Sequence, residues 1–167
     1  MTNSHESRAS NKSENNYSSP LGGRRGGLMT LKEFFKRDRF AVLAGCELLE
    51  IREGYARARM TVSEYHLNGG DFCQGGAIFT LADLAFAAAV NSHLVLTVST
   101  SSNITFFRSV PLGATVYAEA QELVNHPRMP YAEVRITDEE GRLIAIFTSG
   151  GYRKQDRPIE GIEAPKK

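Results

Sequence analysis

Hydrophobic positions change period several times along the chain, and each change predicts an element. Leu31, Phe34 and Phe35 recur at spacings of three and four, which predicts a short amphipathic helix ahead of Gly45. From Cys46 the period becomes two. Ala56, Ala58, Met60 and Val62 alternate with Tyr55, Arg57, Arg59 and Thr61, the pattern of a strand with one wet face. Residues 63–74 read as a loop carrying the turn formers Asn68-Gly69-Gly70-Asp71. Gly75-Gly76 then leads into residues 77–90, too long for one strand and apolar on nearly every side. That predicts a helix buried all round, with a single charge at Asp83. Four strand-like segments follow at 95–107, 114–125, 131–137 and 143–152. Asp138-Glu139-Glu140-Gly141 marks the turn between the last two, and Pro127 and Pro130 mark the turn before it.

With strands before and after the long helix rather than in strict alternation, the order favours α+β over a doubly wound parallel sheet. The economical packing wraps an antiparallel sheet around the central helix. One curved sheet covers only one side of such a helix, so a second copy of the chain is the natural cover for the rest.

Composition divides the 167 residues into three parts. Residues 1–28 hold six Ser, four Asn and four Gly and few apolar side chains, so they cannot bury enough surface to offset the entropy of ordering and read as a disordered tail. Residues 29–152 form the foldable domain, of ordinary single-domain size. Residues 153–167, with Pro158, Gly161, Pro165 and eight charges, read as a flexible C-terminal tail. Lys and Arg number 20 against 19 Asp and Glu, a net charge of +1, without the basic excess that marks a nucleic-acid binder. No run of about 18 apolar residues is evident, so no membrane partner is expected. Cys46 and Cys73 are too few for a disulfide framework or a four-cysteine zinc site and suit a reducing cytoplasm. No two histidines stand at a helical spacing with an acid, so no metal is expected either.

Asp83 is the most informative residue. An ionised carboxylate in an apolar helix is costly unless it is paired, hydrogen-bonded or useful, and a structural hydrogen bond would satisfy it as well as a reaction would. The helix start adds a second element. Gly75 and Gly76 leave the first amides bare of side chains, and free N–H groups at a helix N-terminus can hold an anion or polarise a carbonyl. Eight residues at 1.5 Å rise put Gly75 and Asp83 about 12 Å apart, too far to serve one reacting group. Two antiparallel copies of the helix across a two-fold axis would bring Gly75 of one opposite Asp83 of the other.

The segment His66-Leu67-Asn68-Gly69-Gly70-Asp71-Phe72-Cys73-Gln74-Gly75-Gly76 followed by Ala77-Ile78-Phe79-Thr80-Leu81-Ala82-Asp83 resembles the signature of PaaI-type hotdog-fold acyl-CoA thioesterases. That signature is an Asn, then His-Gly-Gly, then a helix reading Leu-Ala-Asp. Residues 99–108 and Pro111-Leu112-Gly113 resemble the family's next strand and turn, and the similarity spans about residues 31–152. The resemblance implies a hotdog fold and hydrolysis of an acyl- or aryl-CoA thioester to free acid and CoA, with no cofactor beyond water. It implies Asp83 as general base or nucleophile, the Gly75 amide as oxyanion donor, Asn68 as a positioning group and Ser99 as the residue that orients water. By the same analogy Asn68 and Gly75 come from one protomer and Asp83 and Ser99 from its mate, in a homodimer that assembles to a homotetramer. Gln74 departs from the pattern: it stands where the family has histidine, and it can hydrogen-bond but not titrate near neutral pH.

Around this core, Gln74, Gly76 and His66 are candidate substrate-binding residues, and Arg108 and Arg128, near strand ends, are candidates to meet the coenzyme's phosphates, although surface arginines usually only solvate. Cys73, near a helix N-terminus, reads better as a small half-buried thiol than as a nucleophile. Tyr117, Phe79 and Phe106 are candidates to line the pocket, though each reads more readily as core. Two other functions fit the same fold: a non-catalytic acyl-CoA-binding module, in which Gln74 marks lost turnover, and an enoyl or 3-hydroxyacyl thioester hydratase/dehydratase. The latter needs an acid/base pair whose obvious histidine is Gln74 here.

Overall fold

In the computed structural model, residues 28–165 are described, so the tail expected over 1–28 lies outside the described residues apart from Leu28. Thr30 and Glu33 form a reciprocal capping box that starts α1 (Leu31–Phe35): the Glu33 amide donates to Thr30 Oγ1 at 3.3 Å and the Thr30 amide to Glu33 Oε2 at 2.7 Å. Asp38 then accepts from the Ala41 amide at 3.1 Å and caps α2 (Arg39–Leu43). The single helix expected ahead of Gly45 is therefore two, because a short carboxylate inside the run competes for backbone donors and restarts the helix.

Six strands follow the alternation: β1 (Glu47–Arg52), β2 (Tyr55–Thr61), β3 (Val95–Phe106), β4 (Thr115–Val124), β5 (Tyr131–Asp138) and β6 (Leu143–Pro158), with α3 (Gly75–Val90) between β2 and β3. They form one antiparallel sheet in the order β1-β2-β4-β5-β6-β3, and α3 lies along its inner face, the α+β architecture expected. Alanines let the helix approach closely: Ala56, Ala58, Ala118, Ala120, Ala132 and Ala145 are all fully buried, with Met60, Val134 and Phe147 filling the larger gaps.

Two expectations need correction. Gly75–His93 is long and apolar enough, by length and composition, to cross a membrane; 61% of that window is buried against the sheet, as the core helix of this fold requires. And β6 does not end at Tyr152 but runs to Pro158. Arg153, read as the start of a solvated tail, is 6% exposed and donates to Glu122 Oε1 at 2.6 Å and Asn125 Oδ1 at 2.5 Å. Glu122 in turn meets His93 Nε2 at 2.5 Å, so charges counted as unpackable are paired inside. Beyond the strand, the Glu163 amide donates to the Met29 carbonyl and Ile162 packs down at 8% exposure.

Helix α3 is not buried all round by its own chain. Gly76, Thr80, Asp83 and Ala87, at spacings of four, three and four, form a stripe left partly open, while Leu81, Leu84, Ala85 and Ala88 face the sheet. Strand β3 borders that stripe and is exposed over most of its length, Val98 to Phe106.

Candidate active site

The chain reaches β3 through a turn fixed by one side chain. Asn91, the C-cap of α3 and 3% exposed, donates from Nδ2 to the carbonyls of Ala87 and Thr97, both at 2.9 Å, and accepts the Thr97 amide at 2.8 Å. This locks the strand to the helix two residues before Ser99. The Ser99 hydroxyl then donates to Asp83 Oδ1 at 3.0 Å. Burial among the apolar neighbours of α3 pushes the Asp83 carboxyl above its ordinary range; the Ser99 hydrogen bond pulls it down, and the Asp38 charge adds to the rise. Asp83 is thus a half-buried carboxylate with one hydroxyl partner, favoured as a proton acceptor. Neither Asn91 nor Asp38 stood out in the sequence; the one signal was an Asn at the expected helix end.

At the other end of the helix the loop over 63–74 is closed on itself. The Gln74 amide donates to the His66 carbonyl at 2.7 Å, the Cys73 amide to Val110 at 2.8 Å, and Asn68 pairs through its amide with the Phe72 carbonyl at 2.8 Å. Asn68 Oδ1 accepts from the Gly70 amide at 2.8 Å and the Phe72 amide at 3.4 Å, so its oxygen shapes the loop while its Nδ2 donor is not engaged among the described residues. His66 Nδ1 accepts the Ser63 amide at 3.0 Å, which leaves the proton of a neutral ring on Nε2.

The helix N-terminus shows what Gln74 does. Its Oε1 caps the Gly76 amide, so the two bare amides expected from Gly75-Gly76 reduce to one. The Gly75 N–H keeps no acceptor among the described residues and remains the free donor. Phe106 reaches this spot from the end of β3: a Cβ built on Gly75 would stand 2.9 Å from Phe106 Cζ.

The sequence-derived residues therefore fall in two groups. Asn68, Gln74, Gly75, Gly76 and His66 gather at the start of α3, while Asp83 and Ser99 pair two turns along, about 12 Å away at the helical rise. Arg108 sits nearer the first group, just after Phe106, but its Nη1 donates to the Leu143 carbonyl at 2.6 Å. It also lines a cavity of about 560 Å³ with Asp138, Glu139, Glu140 and Arg142. Three acids against two arginines do not favour a polyphosphate there. Arg128 lies at the opposite end, where its carbonyl accepts from the Arg153 amide. Of the three lining candidates, Tyr117 faces outward under the Arg57 guanidinium, Phe79 packs edge-on against Phe147 in the core, and only Phe106 reaches the helix start. Burial pushes the Cys73 thiol up to about 11 and the Cys46 thiol up to about 12, so neither is a thiolate near neutral pH.

Residues 70–145 match the family model described as the thioesterase superfamily. The chain is 36% identical over 119 residues to a candidate esterase of Archaeoglobus fulgidus, covering 71% of this chain and 77% of the relative. To the acyl-coenzyme A thioesterase PaaI of Escherichia coli it is 32% identical over 119 residues, 71% of this chain and 85% of that one. The solved structure of the E. coli PaaI protein superposes with a TM-score of 0.70, covering 72% of this chain and 87% of that chain.

Proposed function

The chain belongs to the thioesterase superfamily and is a hotdog-fold thioester hydrolase, and from that premise we propose that it hydrolyses acyl-CoA thioesters at two equal sites, each shared between two copies of the chain. One observation carries the reading: within one chain the hydroxyl-bound carboxylate, Asp83 with Ser99, stands apart from the one free helix amide, Gly75. Each group lacks what the other provides. A second copy, antiparallel across the open stripe of α3, would supply it. Strand β3 supports such pairing: its twelve residues, from Val95 to Phe106, carry no charge and form a long free edge. The other edge, β1, has six residues and is blunted by Glu47, Glu50 and Arg52.

In the proposed reaction the thioester carbonyl accepts the Gly75 N–H and is polarised by it. Water held near Ser99 gives a proton to Asp83 as its oxygen bonds to the carbonyl carbon, and burial of the carboxyl favours that acceptance. The oxyanion collapses, the C–S bond breaks, and the thiolate recovers the proton. Gln74 enters as the cap that holds the helix start, a role that needs no titrating ring. This weakens the case that glutamine marks a non-catalytic binding module. The substrate class rests on the name of the E. coli relative, an acyl-coenzyme A thioesterase.

The test is complementation. Asp83→Asn and a Gly75 variant, each inactive alone in thiol release from acyl- and aryl-CoA esters, are co-expressed with different tags and the heterodimer isolated. One of its two sites is then intact, so about half of the wild-type activity per dimer returns. A heterodimer as inactive as its parents refutes the shared site, and wild-type protein that releases no thiol refutes the acyl-CoA reaction.

A further inference from the structure

Phe106 is the last residue of β3, and the strand register decides which way it faces. It pairs with Ala145, which is fully buried, and Ile104 pairs with Phe147, whereas Thr105 lies opposite Ile146 on the other face. The Phe106 ring is therefore on the helix side. There its Cζ, Cε2 and Cε1 atoms would stand 2.9, 3.3 and 3.5 Å from a Cβ at Gly75. Phe147, facing the same way one strand over, is 0% exposed, yet Phe106 remains 45% exposed. An inward phenyl ring whose tip meets the Gly75 position and which stays nearly half exposed has room beside it for an apolar group that the chain does not supply.

We propose that Phe106 is a specificity-determining residue: its ring is the wall against which the acyl group of the thioester packs, and it limits the bulk tolerated next to the carbonyl. The proposal rests on the reading of Gly75 as the carbonyl's donor. A carbonyl oxygen within about 3 Å of that N–H brings the carbonyl carbon into van der Waals reach of the ring. The carbon bears two arms, acyl and thiol, and the surroundings sort them. The loop side of the helix start offers Asn68, Gln74 and His66, polar groups suited to the amides of the thiol arm. The β3 side offers the Phe106 ring. The hydrocarbon arm goes to the hydrocarbon wall.

The experiment uses the full chain with Phe106→Ala and Phe106→Leu, comparing kcat/KM for acetyl-, isobutyryl- and benzoyl-CoA. Removing the ring should raise the benzoyl-to-acetyl ratio at least about tenfold, with leucine between the two, since pocket walls discriminate by that order per missing group. In parallel, Kd is measured calorimetrically for the matching ketones, in which a methylene replaces the sulfur and hydrolysis is impossible. The same reordering in Kd supports the wall even if no thiol is released by the wild type, an outcome that would sink the hydrolase reading alone. Ratios unchanged in both arms, or a uniform loss accompanied by a halved mass in solution, overturn the assignment and leave Phe106 as an interface residue.

Discussion

Gly75→Ala separates the free-amide role from mere packing. Ordinary carbon contacts are about 3.5–4.0 Å, so a methyl 2.9 Å from Phe106 Cζ overlaps the ring by well over half an ångström. The ring sits at a strand end and is half exposed, so it can swing outward. Overpacking of this kind costs about 1–3 kcal/mol, and replacing a helical glycine by alanine returns up to about 1 kcal/mol. The net is at most about 3 kcal/mol, a fall in Tm of no more than about 12 °C for a chain of this length. The fold survives. Activity should not, because the methyl and the ring it displaces crowd the approach to the Gly75 N–H; the loss expected approaches that of a missing oxyanion donor, about 100- to 1000-fold in kcat. Gly76→Ala is the control. Its Cβ would meet the Gln74 side chain, nearest at Oε1, 2.6 Å away, the far end of a flexible side chain. Losing that cap costs about 1 kcal/mol and leaves the Gly75 amide free. The assay is thiol release under saturating acyl-CoA, with thermal melts alongside. Gly75→Ala within threefold of wild-type kcat, or the two alanine variants equally impaired, would refute the reasoning.

Asp83→Asn should lower kcat by at least about 100-fold, the scale of a lost general base, measured by the same thiol release. It should also change the pH dependence of stability: burial raises the Asp83 pKa in the folded state, so the folded chain holds the proton more tightly. Wild-type stability then falls as pH rises from the ordinary aspartate value through the raised one, a slope the asparagine variant lacks in urea titrations across that window. Ser99→Ala removes the hydrogen bond that pulls the Asp83 pKa down, so the acid limb of the kcat profile should move to higher pH; an unmoved limb would detach Ser99 from Asp83. Arg153→Met leaves Glu122, 3% exposed at its side chain, with His93 and no arginine, and should cost about 3–5 kcal/mol by chemical denaturation without altering the kcat of folded protein.

What could be read in the sequence was whatever depends on periodicity. Alternation in residues 55–62 and the largely apolar run after Gly76 give β2 and α3 to within a residue or two, because burial on one face imposes those periods. Asp83 was legible for the same reason, as the one charge that breaks the run. What stayed hidden depends on pairing across the sheet. Phe106 reads from the sequence as lining or, more readily, as core, and only the Phe106–Ala145 pairing turns its ring toward Gly75. Arg153 looked like a solvated charge because Glu122, 31 positions earlier, is its partner. The Gln74 cap is not legible in the string: glutamine there reads as a missing histidine, and only the fold turns its amide oxygen back on Gly76.

The same distinction explains why the helix departs from its expected burial. Periodicity reports whether a residue is apolar, not which chain covers it, so α3 reads as buried on every side although its own sheet covers only Leu81, Leu84, Ala85, Ala88 and their neighbours. The open stripe of Gly76, Thr80, Asp83 and Ala87 is made of small and polar residues, and Thr80 already returns its hydroxyl to the Gly76 carbonyl at 2.9 Å. A stripe meant for water would carry long charged side chains, and a stripe meant for lipid would be branched and apolar. Small residues with a satisfied hydroxyl suit the close approach of another backbone, and the one carboxylate among them, held by the Ser99 hydroxyl, then faces whatever that approach encloses. On this argument the open side of the helix and the separation of Asp83 from Gly75 have one cause: the surface that a second copy would cover is the surface on which Asp83 is proposed to work.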